Sequence, residues 1–153
     1  TKDKFFSNHK GNELLNKYTI NEIMIIGSLV EKEGKTEEDK RLISSVIFNR
    51  LSKNLKLQID ATTIFSITKG RYKFERKLTY KDLKIKDKFN TYFIYGLPPE
   101  PICYVSRKTI EIVLENYKSS YLFYFYDGNL EKHVFSQTYK MHKKLLDKYR
   151  NSE

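Results

Sequence analysis

Hydrophobic residues with helical spacing dominate the first half of the chain. One apolar helix face is formed by Ile23, Ile26, Leu29 and Val30. These positions recur at the intervals that an amphipathic helix requires. Thr19 followed by Glu22 has the pattern of a capping box, and Gly34 is a typical residue after a helix end. The pattern therefore predicts a helix over residues 19–33.

Further helical segments follow with short separations. Apolar residues repeat over residues 41–51, and Thr36 with Asp39 has the pattern of a second helix cap. A short helix is also expected over residues 61–68. The basic stretch after it has little periodicity, so we predict a loop with one helical turn at Tyr80–Leu83.

The second half of the chain mixes helix and strand. Prolines exclude a helix or a central strand over residues 96–101. A helix is predicted over residues 106–117, and an aromatic strand over residues 121–126. Asp127-Gly128 is a turn signal, so residues 132–135 can return as the partner strand. The fold class is therefore α+β: mainly helical, with a small antiparallel sheet late in the chain.

Length and composition limit the class of protein. The chain has 153 residues, of which 39% are hydrophobic, so one folded domain is expected. We interpret the polar residues 1–18 as an N-terminal segment and residues 19–150 as the domain. A single Cys excludes a disulfide framework and any multi-cysteine metal site.

The net charge of +10 favours polyanionic partners. The lysines are dispersed, and a final helix beginning at Ser136 or Gln137 carries Lys140, Lys144 and Lys148 on one face. We interpret this row as a solvated helix face. No common nucleic-acid-binding motif is present, so nucleic acid is not an expected partner.

Glu33 breaks the hydrophobic pattern of the first helix. With about 3.6 residues per turn, Glu33 falls within the apolar arc, whereas Lys32 points away from it. Burial and the negative end of the helix dipole would both raise its pKa. A carboxyl group that keeps its proton near neutral pH can act as a general acid. The alternative is a structural Glu that pairs with a nearby Lys or Arg, or reaches water.

Other candidate groups have less specific patterns. Asp60 is either a second carboxylate or the N-cap of the helix near Ala61. His133 and His142 form a poor zinc site without a third nearby ligand, so no metal is expected. The aromatic residues of 121–126 are core residues on one face, with the outer face open to stacking with a sugar.

Several sequence blocks occur in the order and spacing of a known family. They are LVEKE at 29–33, VIFNRL at 46–51, LQIDAT at 57–62, FNTY at 89–92, GLPPEPI at 96–102, YLFYF at 121–125 and HVF at 133–135, with His142 further on. By these blocks, residues 20–148 resemble the catalytic domain of the YceG-like (MltG) endolytic murein transglycosylases.

The resemblance implies a function and a setting. Family members have a lysozyme-like helical core and cleave the β-1,4 bond between N-acetylmuramic acid and N-acetylglucosamine within peptidoglycan strands. Their product carries a 1,6-anhydro ring, and they use no cofactor. A single N-terminal helix holds them in the bacterial cytoplasmic membrane, with the catalytic domain on the outer, periplasmic face. That helix and a LysM-like region are absent from this sequence, so we expect it to be part of a longer protein.

The same resemblance implies the partners and leaves alternatives open. Peptidoglycan strands are the expected partner, with wall synthases and an anionic membrane surface as further candidates. Two other functions remain open: a catalytically inactive peptidoglycan-binding module and, with less support, a basic nucleic-acid-binding domain. The products formed from purified glycan strands would distinguish among the three.

The resemblance also assigns roles to individual residues. Glu33 is the expected catalytic residue. The expected substrate contacts are Gln58, Asp60, Asn90 and Tyr92, whose alternative role is to hold the loops of the cleft. The expected supporting residues are Asn49, Arg50, Thr62, Gly96, Leu97, Pro98, Pro99, His133 and Phe135. Asn49 and Arg50 would brace helix ends or Glu33, and the proline-rich loop would form a rigid wall of the groove.

Overall fold

A computed structural model, which describes residues 2–152, shows a helical fold with one two-stranded sheet. The elements are α1 (Lys2–Ser7), α2 (Glu13–Lys17), α3 (Ile20–Glu33), α4 (Glu37–Ser52), α5 (Asp60–Thr68), α6 (Tyr80–Leu83), α7 (Arg107–Leu114), β1 (Phe123–Asp127), β2 (Lys132–Ser136) and α8 (Tyr139–Asn151). The predicted α+β class is confirmed. Among the described residues, none of the helices combines the length and apolar character needed to cross a membrane.

Helix α3 is the centre of the hydrophobic core. Its N-terminus has the predicted capping box, in which Thr19 Oγ1 accepts from the Glu22 N–H and Glu22 Oε1 accepts from the Thr19 N–H. The predicted apolar face is fully buried. Helices α4 and α7 pack against it, so the position of α3, and of the residue that ends it, is fixed from two sides.

Helix α3 ends just before Gly34 because α4 approaches the backbone closely there, and not because Gly34 adopts a left-handed conformation. Gly34 has an ordinary φ of −84°. A Cβ at Gly34 would lie 2.4 Å from Cγ of Lys40 in α4. Because real Cβ atoms do not approach other atoms so closely, the glycine lets the α3–α4 connection turn immediately after Glu33. The predicted cap of α4 is present, since Thr36 Oγ1 accepts from the Asp39 N–H at 3.1 Å.

The N-terminal segment contributes to the core. Residues 2–17 contain α1 and α2, whose Phe5, Phe6 and Leu14 are buried. These helices have six and five residues, too short to show a repeating apolar pattern in the sequence. Thr1, which belonged to the predicted segment, lies outside the described residues.

The late sheet is the predicted antiparallel hairpin. Tyr126 pairs with His133, and Asp127 pairs with Lys132. In the turn, Asp127 Oδ1 accepts hydrogen bonds from the backbone N–H groups of Asn129 and Leu130. The hairpin is packed against α8, so β1 and α8 face each other.

Some element boundaries differ from the sequence prediction. Helix α7 ends at Leu114 instead of residue 117 because Asn116 adopts a left-handed φ of 53°. The first strand begins at Phe123 instead of residue 121. Helix α8 begins at Tyr139, after the cap residue Thr138, and its predicted lysine face is exposed.

Replacing Gly27 with Ala tests the packing of α3. A Cβ at Gly27 would lie 2.6 Å from Cδ1 of Ile110 and 2.9 Å from Cγ1 of Val105. We expect Gly27→Ala to lower the free energy of unfolding by about 1–3 kcal/mol in urea denaturation, because the core is overpacked. Helix propensity alone predicts the opposite sign, a gain of about 1 kcal/mol.

The matched control is Asn21→Ala at an exposed position of the same helix. It reports helix propensity without a packing change, so it should be neutral or slightly stabilising. A stabilised Gly27→Ala variant would contradict the close α3–α7 packing.

Candidate active site

The candidate site is a cavity of about 390 Å³ between the end of α3, the start of α5, the hairpin and α8. Its lining residues are Glu33, Arg50, Leu57, Gln58, Asp60, Tyr92, Leu122, Phe123, Tyr124, Phe125, Tyr126, His133, His142, Leu146 and Arg150. Of the residues singled out from the sequence, the structure brings to this cavity Glu33, Arg50, Gln58, Asp60, Tyr92, His133, His142 and part of the aromatic strand.

Glu33 is the last residue of α3, and its side chain borders the cavity. Burial, together with the negative charge of Asp60, raises its pKa to about 7, while the backbone N–H of Ala61 acts in the opposite direction. No Lys or Arg within residues 2–152 forms an ion pair with it. The structural ion pair that was the alternative interpretation of Glu33 is therefore not found in the described chain.

Glu31 provides a direct comparison in the same sequence motif. Its Oε2 accepts from Lys40 Nζ at 2.8 Å, and its Oε1 accepts from the Ser106 N–H at 2.8 Å. Burial alone would raise the pKa of Glu31, but these hydrogen bonds lower it to about 2. One glutamate of the motif is therefore an ionised structural group, whereas the other keeps its proton up to about pH 7.

Asp60 is held by Tyr92 across the cavity wall. The Tyr92 hydroxyl donates to Asp60 Oδ1 at 2.6 Å. Burial, and then this carboxylate, raises the pKa of Tyr92 well above its usual range, so the phenol remains a donor. The predicted capping role of Asp60 is wrong: the cap position is Ile59, which makes no side-chain cap hydrogen bond, and Asp60 begins the helix.

Gln58 lines the cavity in a strained backbone conformation. Its φ of 53° lies in the left-handed region, which costs a non-glycine residue about 1–3 kcal/mol. Thr91 compensates: its carbonyl accepts from the Gln58 N–H at 3.2 Å, and its Oγ1 accepts from the Ile59 N–H at 2.8 Å. Thr62 Oγ1 lies 2.8 Å from the same hydroxyl, so Thr62 supports the loop without reaching the cavity.

Asn90 does not line the cavity. It is fully buried, and its amide nitrogen donates to the carbonyls of Leu83 and Ile85. Its Oδ1 accepts from the Thr63 hydroxyl and from the Tyr92 N–H. Because its hydrogen-bonding groups are occupied, the geometry favours the loop-holding alternative, in which Asn90 orients Tyr92.

Asn49 and Arg50 brace the chain that leads into β1, rather than Glu33. The Asn49 amide donates to the carbonyls of Ser119 and Tyr121 at 2.9 and 2.8 Å. Arg50 donates through Nε to the Leu122 carbonyl at 2.6 Å. Of these two residues only Arg50 borders the cavity.

The proline-rich loop is not a wall of this cavity, contrary to the prediction. None of Gly96, Leu97, Pro98 and Pro99 lines it. Leu97 packs against the core and Pro98 is buried. The loop is then fixed to α3, since Ser28 Oγ accepts from the Ile102 N–H at 3.1 Å. Leu97, Pro98 and Ile102 are therefore used to close the core.

His133 connects the hairpin to α4. Its Nδ1 lies 2.8 Å from Oδ2 of Asp39, within hydrogen-bond distance, and both side chains are buried. The ring meets Tyr124 and Tyr126 edge-on, with centroids 5.5 and 5.2 Å apart. Phe135 packs on Tyr124 but does not itself line the cavity.

Sequence reasoning left the role of the aromatic strand open and missed Leu146 and Arg150. Phe123, Tyr124, Phe125 and Tyr126, from both faces of β1, all line the cavity. His142, Leu146 and Arg150 follow one another at four-residue spacing on α8 and all line the cavity. In the sequence, the lysine row is the more obvious pattern of this helix, so the row of His142, Leu146 and Arg150 was not recognised.

Comparison with known proteins places the chain in a family. The YceG-like family model matches residues 2–148, so the chain belongs to the YceG-like family. This match includes α1 and α2.

Individual relatives agree with the family match. The endolytic murein transglycosylase of Bacillus subtilis is 33% identical over 99% of this chain and 41% of its own length. That of Streptococcus pneumoniae serotype 2 (strain D39) is 31% identical over 88% of this chain and 25% of its own. The crystal structure of a putative YceG-like protein from Listeria monocytogenes superposes with a TM-score of 0.82 at 32% identity, over 94% of this chain and 45% of that chain. The chain thus spans less than half the length of these relatives.

Replacing Asp39 with Ala tests the connection between α4 and the hairpin. The change leaves Nδ1 of His133 buried without its partner, which we expect to cost about 1–3 kcal/mol of unfolding free energy. Glu38→Ala, at the exposed neighbouring position, is the control and should be close to neutral. Equal stability of the two variants in urea denaturation would show that the hydrogen bond does not hold the hairpin.

Proposed function

We propose that this chain is the catalytic part of a murein transglycosylase that cleaves the β-1,4 bond between N-acetylmuramic acid and N-acetylglucosamine within glycan strands. The observation that carries the proposal is a glutamate with a pKa of about 7, without a cationic partner in the described chain, bordering a cavity. The names of the Bacillus and Streptococcus relatives support murein as the substrate.

The first step uses Glu33 as a general acid. Its carboxyl proton passes to the oxygen that bridges the two sugars, and the bond between that oxygen and C1 of the muramoyl unit breaks. Positive charge develops at C1, where the carbonyl oxygen of the substrate's own N-acetyl group can stabilise it. The negative charge of Asp60, beside Glu33, also stabilises this cation.

The second step uses the same residue as a base. The Glu33 carboxylate accepts the proton of the C6 hydroxyl of the muramoyl unit, and the C6 oxygen bonds to C1. The product is a 1,6-anhydro ring; no water is consumed, and Glu33 regains its proton. An intramolecular hydroxyl has a large advantage over water, with effective molarities of about 10⁵ M or more.

The remaining polar groups of the cavity bind the sugars. Gln58, held in its strained conformation by Thr91, presents an amide to the cavity. Asp60 and Tyr92, hydrogen-bonded to each other, offer an acceptor and a donor for hydroxyl or acetamide groups. Tyr124 and Tyr126 offer aromatic surface to a sugar ring.

A second candidate function is hydrolysis of the same bond. The specific observation in its favour is Asp60, because a second carboxylate beside the acid is the arrangement of hydrolytic glycosidases. In that reaction Asp60 would activate water or attack C1, and the product would be one water heavier. The hydrogen bond from Tyr92 to Asp60 instead favours a fixed carboxylate that stabilises positive charge, rather than one that activates water or attacks C1.

The cellular setting is part of the proposal. We place the full-length protein in the bacterial cytoplasmic membrane as a single-pass protein, with this part on the outer face beside wall synthases. The exposed lysines of α8 support contact with anionic surfaces, since each adds electrostatic attraction to acidic lipid headgroups.

Product analysis of Glu33→Gln tests the reaction. Purified glycan strands treated with the wild-type chain should yield anhydro-ended muropeptides by mass spectrometry. Glu33→Gln should reduce the rate by roughly 10²–10⁴-fold, because the amide can neither give nor take the proton. Glu38→Gln, at an exposed position outside the cavity, should retain wild-type activity, and thermal unfolding should confirm that both variants fold.

The other outcomes identify the alternatives. Products one water heavier would support hydrolysis. Binding of strands without cleavage, equal in wild type and Glu33→Gln, would indicate an inactive wall-binding module. Steeply salt-dependent binding to nucleic acid without binding to glycan would contradict cleavage of glycan strands as well as binding to them.

A further inference from the structure

The cavity is lined by charged groups of both signs. Glu33 and Asp60 are its acidic residues, and Arg50 and Arg150 are its arginines. Both kinds of charge act on Tyr124: burial is the main cause of its raised pKa, Glu33 and Asp60 add to it, and Arg50 opposes it. A ligand that fills the cavity therefore meets charges of both signs.

Arg50 is a buried charge without a carboxylate partner in the described chain. Its side chain is 8% exposed, and its guanidinium lies over the Phe123 ring at 4.8 Å. Nε and Nη1 donate to the carbonyls of Leu122 and Lys56. These neutral acceptors orient the guanidinium but leave its charge uncompensated, which is costly unless a ligand supplies the anion.

Two residues of α8, His142 and Arg150, line the same cavity. The His142 ring stacks on Phe123 at 5.2 Å, and its buried Nδ1 has no hydrogen-bond partner in the part of the chain that the structure describes. Arg150, two helical turns further on, is exposed at the cavity and forms no ion pair within residues 2–152. Both arginines disfavour a further positive charge on His142, whose pKa is lowered by burial and then by them.

We propose that Arg50, His142 and Arg150 bind a carboxylate carried by the muramoyl unit of the strand. The inference rests on the proposed function and adds to it a basis for choosing the bond. The muramoyl sugar carries the acidic substituents of the strand, whereas N-acetylglucosamine is neutral. Arginines in the cavity that Glu33 borders therefore favour binding of the muramoyl unit over the neutral sugar.

Two carboxylates of the substrate fit this chemistry. One is the lactyl carboxylate, which is free only where the stem peptide has been removed. The other is a carboxylate of the stem peptide itself. Both would accept charge-assisted hydrogen bonds from a guanidinium, and comparing strands with and without peptides distinguishes them.

Binding by an Arg150→Gln variant tests the inference. The 153-residue chain carrying Glu33→Gln, which keeps the ligand intact, would be titrated calorimetrically with peptide-bearing strands, amidase-stripped strands and neutral chitooligosaccharides. Adding Arg150→Gln should weaken binding of carboxylate-bearing strands roughly tenfold, the effect of losing one charge-assisted hydrogen bond. Binding of chitooligosaccharides should not change.

Lys148→Gln is the matched control, since it removes one positive charge from the exposed end of the same helix, outside the cavity. It should change none of the affinities by more than about twofold, the scale of a screened surface charge. Weakening on stripped strands assigns the lactyl carboxylate, and weakening confined to peptide-bearing strands assigns the peptide.

Two results would overturn the inference. Arg150→Gln could behave like Lys148→Gln, or it could weaken neutral and acidic ligands equally. If the wild-type chain cleaves strands while either result holds, only the carboxylate site is wrong. If the chain neither binds nor cleaves any strand, the proposed function fails together with it.

Discussion

The partial burial of one carboxyl group, Glu33, without a cationic partner in the described chain is the constraint on which the candidate site depends. Ion pairing would have stabilised Glu33 as an anion, as Lys40 does for Glu31 two residues earlier. Placing Glu33 against Asp60 at the edge of a cavity has the opposite effect and keeps its proton near neutral pH. This placement is unfavourable for an ionised group, so the surrounding structure must hold α3 firmly enough to impose it.

Three parts of the fold impose that position. The fully buried face of α3 fixes the helix axis, and Gly34 lets α4 turn back directly behind Glu33. The Thr62–Thr91 hydroxyl pair holds the loop that carries Gln58 and Asp60. The contact between Asp39 and His133 fixes the aromatic hairpin as the facing wall. Glu33, Asp60 and the aromatic hairpin thus come from distant parts of the sequence.

Local patterns were sufficient to predict α3, its cap and the hairpin and to single out Glu33 as a candidate, because each depends on residues close together in sequence. Tertiary contacts decided the rest. The sequence around Asp60 has the pattern of a helix cap, yet the Asp60 side chain accepts a hydrogen bond from Tyr92. Asn90 has the sequence of a polar loop residue, yet it is fully buried. Arg150 reaches the cavity only because α8 packs on the hairpin, which no local pattern reveals.

A direct titration of Glu33 would decide whether this constraint is real. Carboxyl ¹³C chemical shifts of glutamate-labelled chain, measured across pH, would identify the Glu33 resonance by its absence in Glu33→Gln. We expect a midpoint at about 7, with the proton retained below it, whereas the ordinary value is 4.5. A midpoint at or below that ordinary value would mean that Glu33 is ionised at neutral pH and cannot supply the proton that the proposed bond cleavage requires.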